Sequence, residues 1–129
     1  MKYAILGARS LLGLIFVVFG LNGFLQFIPL PPMGEQAGAF MGIFFGSGWG
    51  VIVKVIEIVF GLLLLSGLRT PLALTFLAPV VVNIFLFHAL LDPGGMGMSI
   101  LLVVLTGFLI YAYRDRFAGI FSGTEFMPE

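Results

Sequence analysis

The sequence predicts an all-α integral membrane protein: a four-transmembrane-helix bundle with a short re-entrant or interfacial helix between the first two spans, all within a single membrane domain over residues 1–129. Three observations predict it. Of the residues, 60% are hydrophobic and 9% are charged, with a mean hydropathy of +1.20. A soluble domain this small needs a charged outer face, and six Lys and Arg with six Asp and Glu cannot supply one. Four stretches approach the roughly 20 apolar residues that a helix needs to cross a bilayer core, and proline, glycine or charge breaks the chain between them.

The first span runs from about Tyr3 to Ile28 and meets Pro29, Pro31 and Pro32, which cannot continue a helix. Lys2 and Arg9 ahead of an apolar run resemble the start of a secretory signal. The run is longer than a signal core and lacks a small-residue cleavage pattern, so an uncleaved span is expected. In the loop that follows, residues 37–46 are apolar but too short to cross. Gly34, Gly38, Gly42, Gly46 and Gly50 recur every four residues, and on a helix this spacing makes a flat ridge for close backbone approach. A helix over about 36–46 that caps the bundle from outside is the expectation; a glycine-loosened loop on the lipid surface is the alternative.

The second span runs from about Val51 to Leu68. The third begins at Pro71, a favourable first-turn position, and ends near Leu91 before Asp92-Pro93-Gly94-Gly95. The fourth runs from about Met98 to Tyr113 and stops at Arg114-Asp115-Arg116. The connections at 69–70 and 92–97 are short, which predicts antiparallel neighbours. One side of this topology holds both termini with Lys2, Arg9, Arg69, Arg114 and Arg116, whereas the other holds only Lys54. The positive-inside rule then places both termini in the cytoplasm. Ile15-Phe-Val-Val-Phe-Gly-Leu21 echoes Ile56-Glu-Ile-Val-Phe-Gly-Leu62. Apolar sequences match readily by chance, so the echo is read as coincidence, with an inverted repeat as the alternative.

Composition also excludes chemistry. The net charge is zero, which offers no basic surface for nucleic acid. With no cysteine, the chain cannot perform thiol–disulfide exchange or ligate an iron–sulfur cluster. One histidine cannot hold haem on both axes or build a zinc or di-iron site. No Gly-x-Ser-x-Gly, phosphate loop or dinucleotide fingerprint is present. No cofactor bound covalently or by metal ligation is expected, and no self-contained redox or hydrolytic site is visible.

Ionisable groups inside spans cost about 2.5–3.5 kcal/mol each at the helix centre on insertion scales, and they mark functional positions by default. Lys54 and Glu57 lie three apart on one face of the second span, and Asn22 and Gln26 lie four apart on one face of the first. The third span carries Asn83 and His88. In the deduced topology Asn22, Gln26, Lys54, Glu57 and His88 all fall in the outer half of the bilayer, with Asn83 somewhat deeper. Convergence on one level predicts a shared polar pocket. The plain alternatives are an ion pair with Lys54 snorkelling to the interface, interhelical hydrogen bonding by the asparagines, and a surface His88 beside Asp92. Asn83 and His88 point about 140° apart on a regular helix, which makes His88 the weakest member. Ser99, Thr106 and Tyr113 form a seven-residue polar stripe that core packing explains.

The segments Phe19-Gly-Leu-Asn-Gly-Phe-Leu-Gln-Phe-Ile-Pro29, Lys54-Val-Ile-Glu57 with Gly61-Leu-Leu-Leu-Leu-Ser-Gly67, and Ala78-Pro-Val-Val-Val-Asn-Ile-Phe-Leu-Phe-His88 resemble hallmark stretches of the DoxX family of small bacterial membrane proteins. The likeness covers nearly the whole chain. It implies a four-helix bundle in the bacterial cytoplasmic membrane and a link to quinone oxidoreduction through a partner subunit. The leading expectation is a protein that binds a small amphipathic ligand, with a quinone as candidate, in the outer polar pocket. Glu57 would accept a proton or anchor the ligand, its charge set by Lys54, while Asn22, Gln26 and Asn83 would hydrogen-bond it. A non-catalytic assembly or chaperone subunit, docking membrane partners on the glycine ridge, is a second expectation. A small proton-coupled transporter, needing a homo-oligomer, is a third.

Overall fold

The computed structural model describes residues 1–121, all helix and connecting turns. Its helices are α1 (Lys2–Leu25), α2 (Glu35–Gly46), α3 (Trp49–Ser66), α4 (Thr70–Leu90), α5 (Met96–Ala112) and the single turn α6 (Ala118–Phe121). Four of them, α1, α3, α4 and α5 with its preceding turn, are long and apolar enough to cross a membrane. The chain is a multi-pass membrane protein, and its many exposed Leu, Val, Ile and Phe side chains suit contact with lipid.

Local backbone geometry sets the helix ends, which differ from the hydropathy limits by a few residues. α1 stops at Leu25, before the prolines are reached. Gln26 turns left-handed at φ 52° and donates its N–H to the Asn22 carbonyl, while the Asn22 side chain takes hold of Ile28. α3 begins after Gly48 (φ 88°) and ends at Gly67 (φ 76°). Both sit in the left-handed region that costs glycine nothing. Two residues later Arg69 (φ 55°) turns the chain into α4. The helix expected over 36–46 is present as α2.

α1 packs on α3 and α5, and α4 packs on the same two helices, which closes a four-helix ring. The α1–α3 contact is the most extensive, because glycine faces glycine across it. A Cβ added to Gly13 would lie 2.9 Å from the Gly61 carbonyl oxygen, and one added to Gly61 would lie 3.1 Å from that of Gly13. Gly20 meets the Lys54 carbonyl in the same way, at 3.2 Å. The two glycines of the Phe-Gly-Leu echo therefore occupy reciprocal places in the crossing: Gly20 faces Lys54 and Ile58, and Gly61 faces Gly13 and Val17.

The four spans create two ends. The terminal face carries the N-terminus, the α3–α4 turn and the end of α5; the loop face carries α2 and the α4–α5 turn. The apolar core, formed by Leu12, Phe16, Leu64, Leu74, Leu77 and Leu109, lies toward the terminal face. Stacked rings of Phe60 and Phe76, 4.5 Å apart, join α3 to α4. Ser99 and Thr106 of the polar stripe are buried inside the bundle, and the Ser99 hydroxyl donates to the Met96 carbonyl at 2.9 Å. α2 lies against the loop-face end of the bundle, with Phe40 against Phe87 of α4 and Phe44 against Trp49 of α3. Its glycine ridge points away: a Cβ at Gly34, Gly38, Gly42 or Gly46 would meet nothing within 4 Å. Only Gly50 packs closely, against Phe44 and Phe45.

Candidate functional site

The polar residues of the spans lie in the loop-face half, as their depth in the sequence predicts, but they do not share one pocket. The centre of the group is the Lys54–Glu57 pair on α3. Spaced three apart, the two side chains emerge on one helix face, and Lys54 Nζ stands 3.4 Å from Glu57 Oε2. Glu57 is 3% exposed. Among the described residues Lys54 is the one cation that pairs with it.

α1 makes room for the pair. A Cβ at Gly23 would fall 2.8 Å from Lys54 Cγ and 2.9 Å from its Cδ, so the aliphatic stem of Lys54 runs across the bare backbone of Gly23. The lysine side chain remains 20% exposed, against 4% for that of Glu57, while its stem packs on α1 at Gly23. This geometry presents a donor that can still reach outward, backed by a carboxylate that cannot. Burying two charges costs several kcal/mol per ion before their attraction offsets it, so the pair is poorly explained as a stabilising element.

Asn22, one residue before Gly23, is buried but already engaged. Its Nδ2 donates to the Ile28 carbonyl at 3.1 Å, and its Oδ1 accepts from the Ile28 N–H at 2.7 Å. The side chain closes the end of α1, so the hydrogen bonds expected of it toward a ligand are made to Ile28 in this structure. Gln26 does not share a face with it, since the helix ends at Leu25 and Gln26 is exposed in the left-handed turn. Asn83 is also exposed, on the outside of α4, and its amide donates back to the Pro79 carbonyl at 3.0 Å. Local backbone groups satisfy these amides more cheaply than a distant partner could.

His88 belongs to a separate local cluster. Its Nδ1 lies 3.1 Å from the Asp92 carbonyl and 3.3 Å from Asp92 Oδ2, and its ring lies over the bare backbone of Gly95. It holds the α4–α5 turn. Of the six residues singled out, the structure thus joins Lys54 and Glu57, sets Asn22 at their level, and leaves Gln26, Asn83 and His88 apart. Gly20 and Gly23 complete the site. Among the described residues no group of three or more His, Cys, Asp or Glu could hold a metal ion.

No family model, curated protein or solved structure matches the chain.

Proposed function

We propose that this protein binds a small amphipathic molecule at the rim of the α1–α3 contact, with Lys54 and Glu57 as its polar anchor. Lys54 Nζ would donate to a carbonyl of the ligand, and Glu57 would hold the lysine charged and in place. The apolar body of the ligand would lie along the lipid-facing side of α1 and α3. A quinone fits this donor set, because its carbonyl oxygens only accept and the exposed group at the rim only donates. The DoxX-like segments quoted above point to the same ligand class. With no cysteine and one histidine the chain lacks ligands for an iron–sulfur cluster or a doubly histidine-ligated haem, so such a molecule would exchange electrons with a redox partner protein, and this chain would act as the binding subunit. The cation count of the terminal face supports both termini lying in the cytoplasm.

One observation carries the proposal: a charge pair in an apolar span, with its carboxylate buried and its lysine side chain 20% exposed. Trp49 is the one tryptophan of the chain and opens α3, 61% exposed. It lies five residues, about 7.5 Å along the helix axis, from Lys54, close enough for a bound quinone to quench its fluorescence. A short-chain benzoquinone titrated into nanodiscs of the wild-type chain should quench Trp49 saturably. In Lys54→Met/Glu57→Leu only the linear quenching of a partitioning quinone should remain. Equal saturation in that variant would reject the site.

A second proposed reading follows from the open glycine ridge of α2. Four glycines at which an added Cβ would meet nothing within 4 Å among the described residues offer the flat backbone surface on which membrane helices pack, as an assembly subunit would require. Gly38→Leu with Gly42→Leu should abolish crosslinking of α2 to a consistent membrane partner; unchanged crosslinking rejects it.

A further inference from the structure

The cations of the terminal face do more than orient the chain. A cavity of about 450 Å³ opens there, lined by Arg69, Thr70, Tyr113 and Arg116 among others. A second, of about 370 Å³, shares Tyr113 and is lined by Lys2 and Arg9 among others. The guanidinium of Arg9 sits over Gly67, where a Cβ would meet Nη1 at 2.7 Å, and so spans from one cavity toward the other.

The larger cavity lies at the N-terminus of α4. That end carries a positive dipole and leaves the backbone N–H groups of Thr70 and Leu72 without an intrahelical acceptor, Pro71 between them having no N–H. It has no acidic residue in its first turn and no side-chain cap, and the capping position is occupied by Arg69. A cation at that position has the wrong sign for the helix unless an anion lies between them. Thr70, the first helical residue, is 3% exposed. Its Oγ1 has no hydrogen-bond partner among the described residues, and neither has Arg9 Nε. None of Arg9, Arg69 and Arg116 pairs with a carboxylate among those residues. Arg69, Thr70 and Arg116 thus line one space, and Arg9 lines its neighbour.

We propose that this cavity binds an anionic phosphate group, held by Arg69 and Arg116 with the Thr70 hydroxyl and the backbone N–H groups of Thr70 and Leu72, as an anion at a helix N-terminus is held. The site lies at the opposite end of the bundle from Lys54 and Glu57 and does not depend on the function proposed for them.

Native mass spectrometry of the full chain in a neutral detergent tests this, with phosphatidylglycerol, phosphatidylcholine and inorganic phosphate as probes. The wild type should retain phosphatidylglycerol or phosphate over phosphatidylcholine. One charge-assisted hydrogen bond is worth about tenfold in affinity, so Arg69→Gln and Arg116→Gln should each lower that preference by about this factor. Thr70→Val keeps the side-chain shape and should lower it severalfold, which carries the test if an arginine variant fails to fold. Arg114 is the control: it bonds to the Tyr111 carbonyl, lies over the Tyr111 ring and lines neither cavity. Arg114→Gln removes the same charge from the same face and should leave the preference unchanged.

Displacement of bound phosphatidylglycerol by inorganic phosphate identifies a soluble phosphate as occupant. Displacement by phosphatidylglycerol alone identifies a lipid headgroup, and either supports the site. An equal loss in Arg114→Gln means that face charge alone attracts the anion and overturns the proposal. Absence of preference in the wild type also overturns it.

Discussion

The crossing of α1 and α3 depends on the missing side chains of Gly13 and Gly61, and a single methyl group tests it. In Gly13→Ala the new Cβ would stand 2.9 Å from the Gly61 carbonyl oxygen and 3.0 Å from the Leu65 backbone nitrogen. Ordinary contact begins near 3.4 Å, so relief requires 3.4 − 2.9, or half an ångström, of helix separation. The obstructing atoms are backbone and cannot rotate away. Overpacking of this kind costs about 1–3 kcal/mol, which lowers the folded-to-unfolded ratio about 5- to 140-fold. Gly42→Ala, in a helix but with nothing within 4 Å, should move the other way by about 0.5–1 kcal/mol, since alanine loses less chain entropy. Equilibrium unfolding in mixed micelles measures both. The double variant Gly13→Ala/Gly61→Ala should cost less than the sum of its parts, because the first methyl already parts the helices. If Gly13→Ala and Gly61→Ala unfold no more readily than Gly42→Ala, the two helices do not meet backbone to backbone.

Three further outcomes are expected. Lys54→Met strands the Glu57 carboxylate in the bundle and should cost about 3–5 kcal/mol in the same assay, whereas Lys54→Met/Glu57→Leu should recover most of it; a silent single variant would mean that Glu57 is not left as an unpaired buried charge. Asn22→Ala removes both hydrogen bonds to Ile28 and should cost about 1–3 kcal/mol, with faster amide exchange at Ile28; unchanged exchange would show that the chain turns there without the side chain. Gly95→Ala drives a methyl group into the His88 ring and should break the pairing with Asp92, while Gly94→Ala, whose nearest neighbour is Asp92 Oδ1 at 3.9 Å, should be silent; the imidazole resonances of His88 report which occurs.

Hydropathy made the spans legible because lipid demands length and apolarity of any helix that crosses it. The same logic gave the depth of the polar residues, since depth follows from residue count and direction alone. Rotation about the helix axis was not legible. Asn83 and Glu57 lie in the same half of the bundle, yet one faces outward and the other inward, a choice made by the neighbours of α3 and α4. Gln26 shows a different limit: its helical spacing from Asn22 has no meaning once the Asn22 side chain ends the helix by capturing Ile28. The glycines divide in the same way. The regular ridge of α2 announced a helix and proved open, whereas Gly13, Gly20, Gly23 and Gly61 carry the close packing. The repeated Phe-Gly-Leu, read as coincidence, holds two of these four, Gly20 and Gly61. Arg69 and Arg116 counted only toward sidedness, because the cavity between them exists only once the α3–α4 turn and the end of α5 meet.

The slot that Gly23 leaves for the stem of Lys54 has a consequence for how the protein is made. Released alone into hydrocarbon, α3 would expose an ammonium and a carboxylate, each carrying an insertion penalty of about 2.5–3.5 kcal/mol at mid-helix. Beside α1 the carboxylate is shielded and the lysine stem is covered. If the first span shields the second in this way during synthesis, the translocon should release the two as a hairpin, with α2 as its bend, before α4 has left the ribosome.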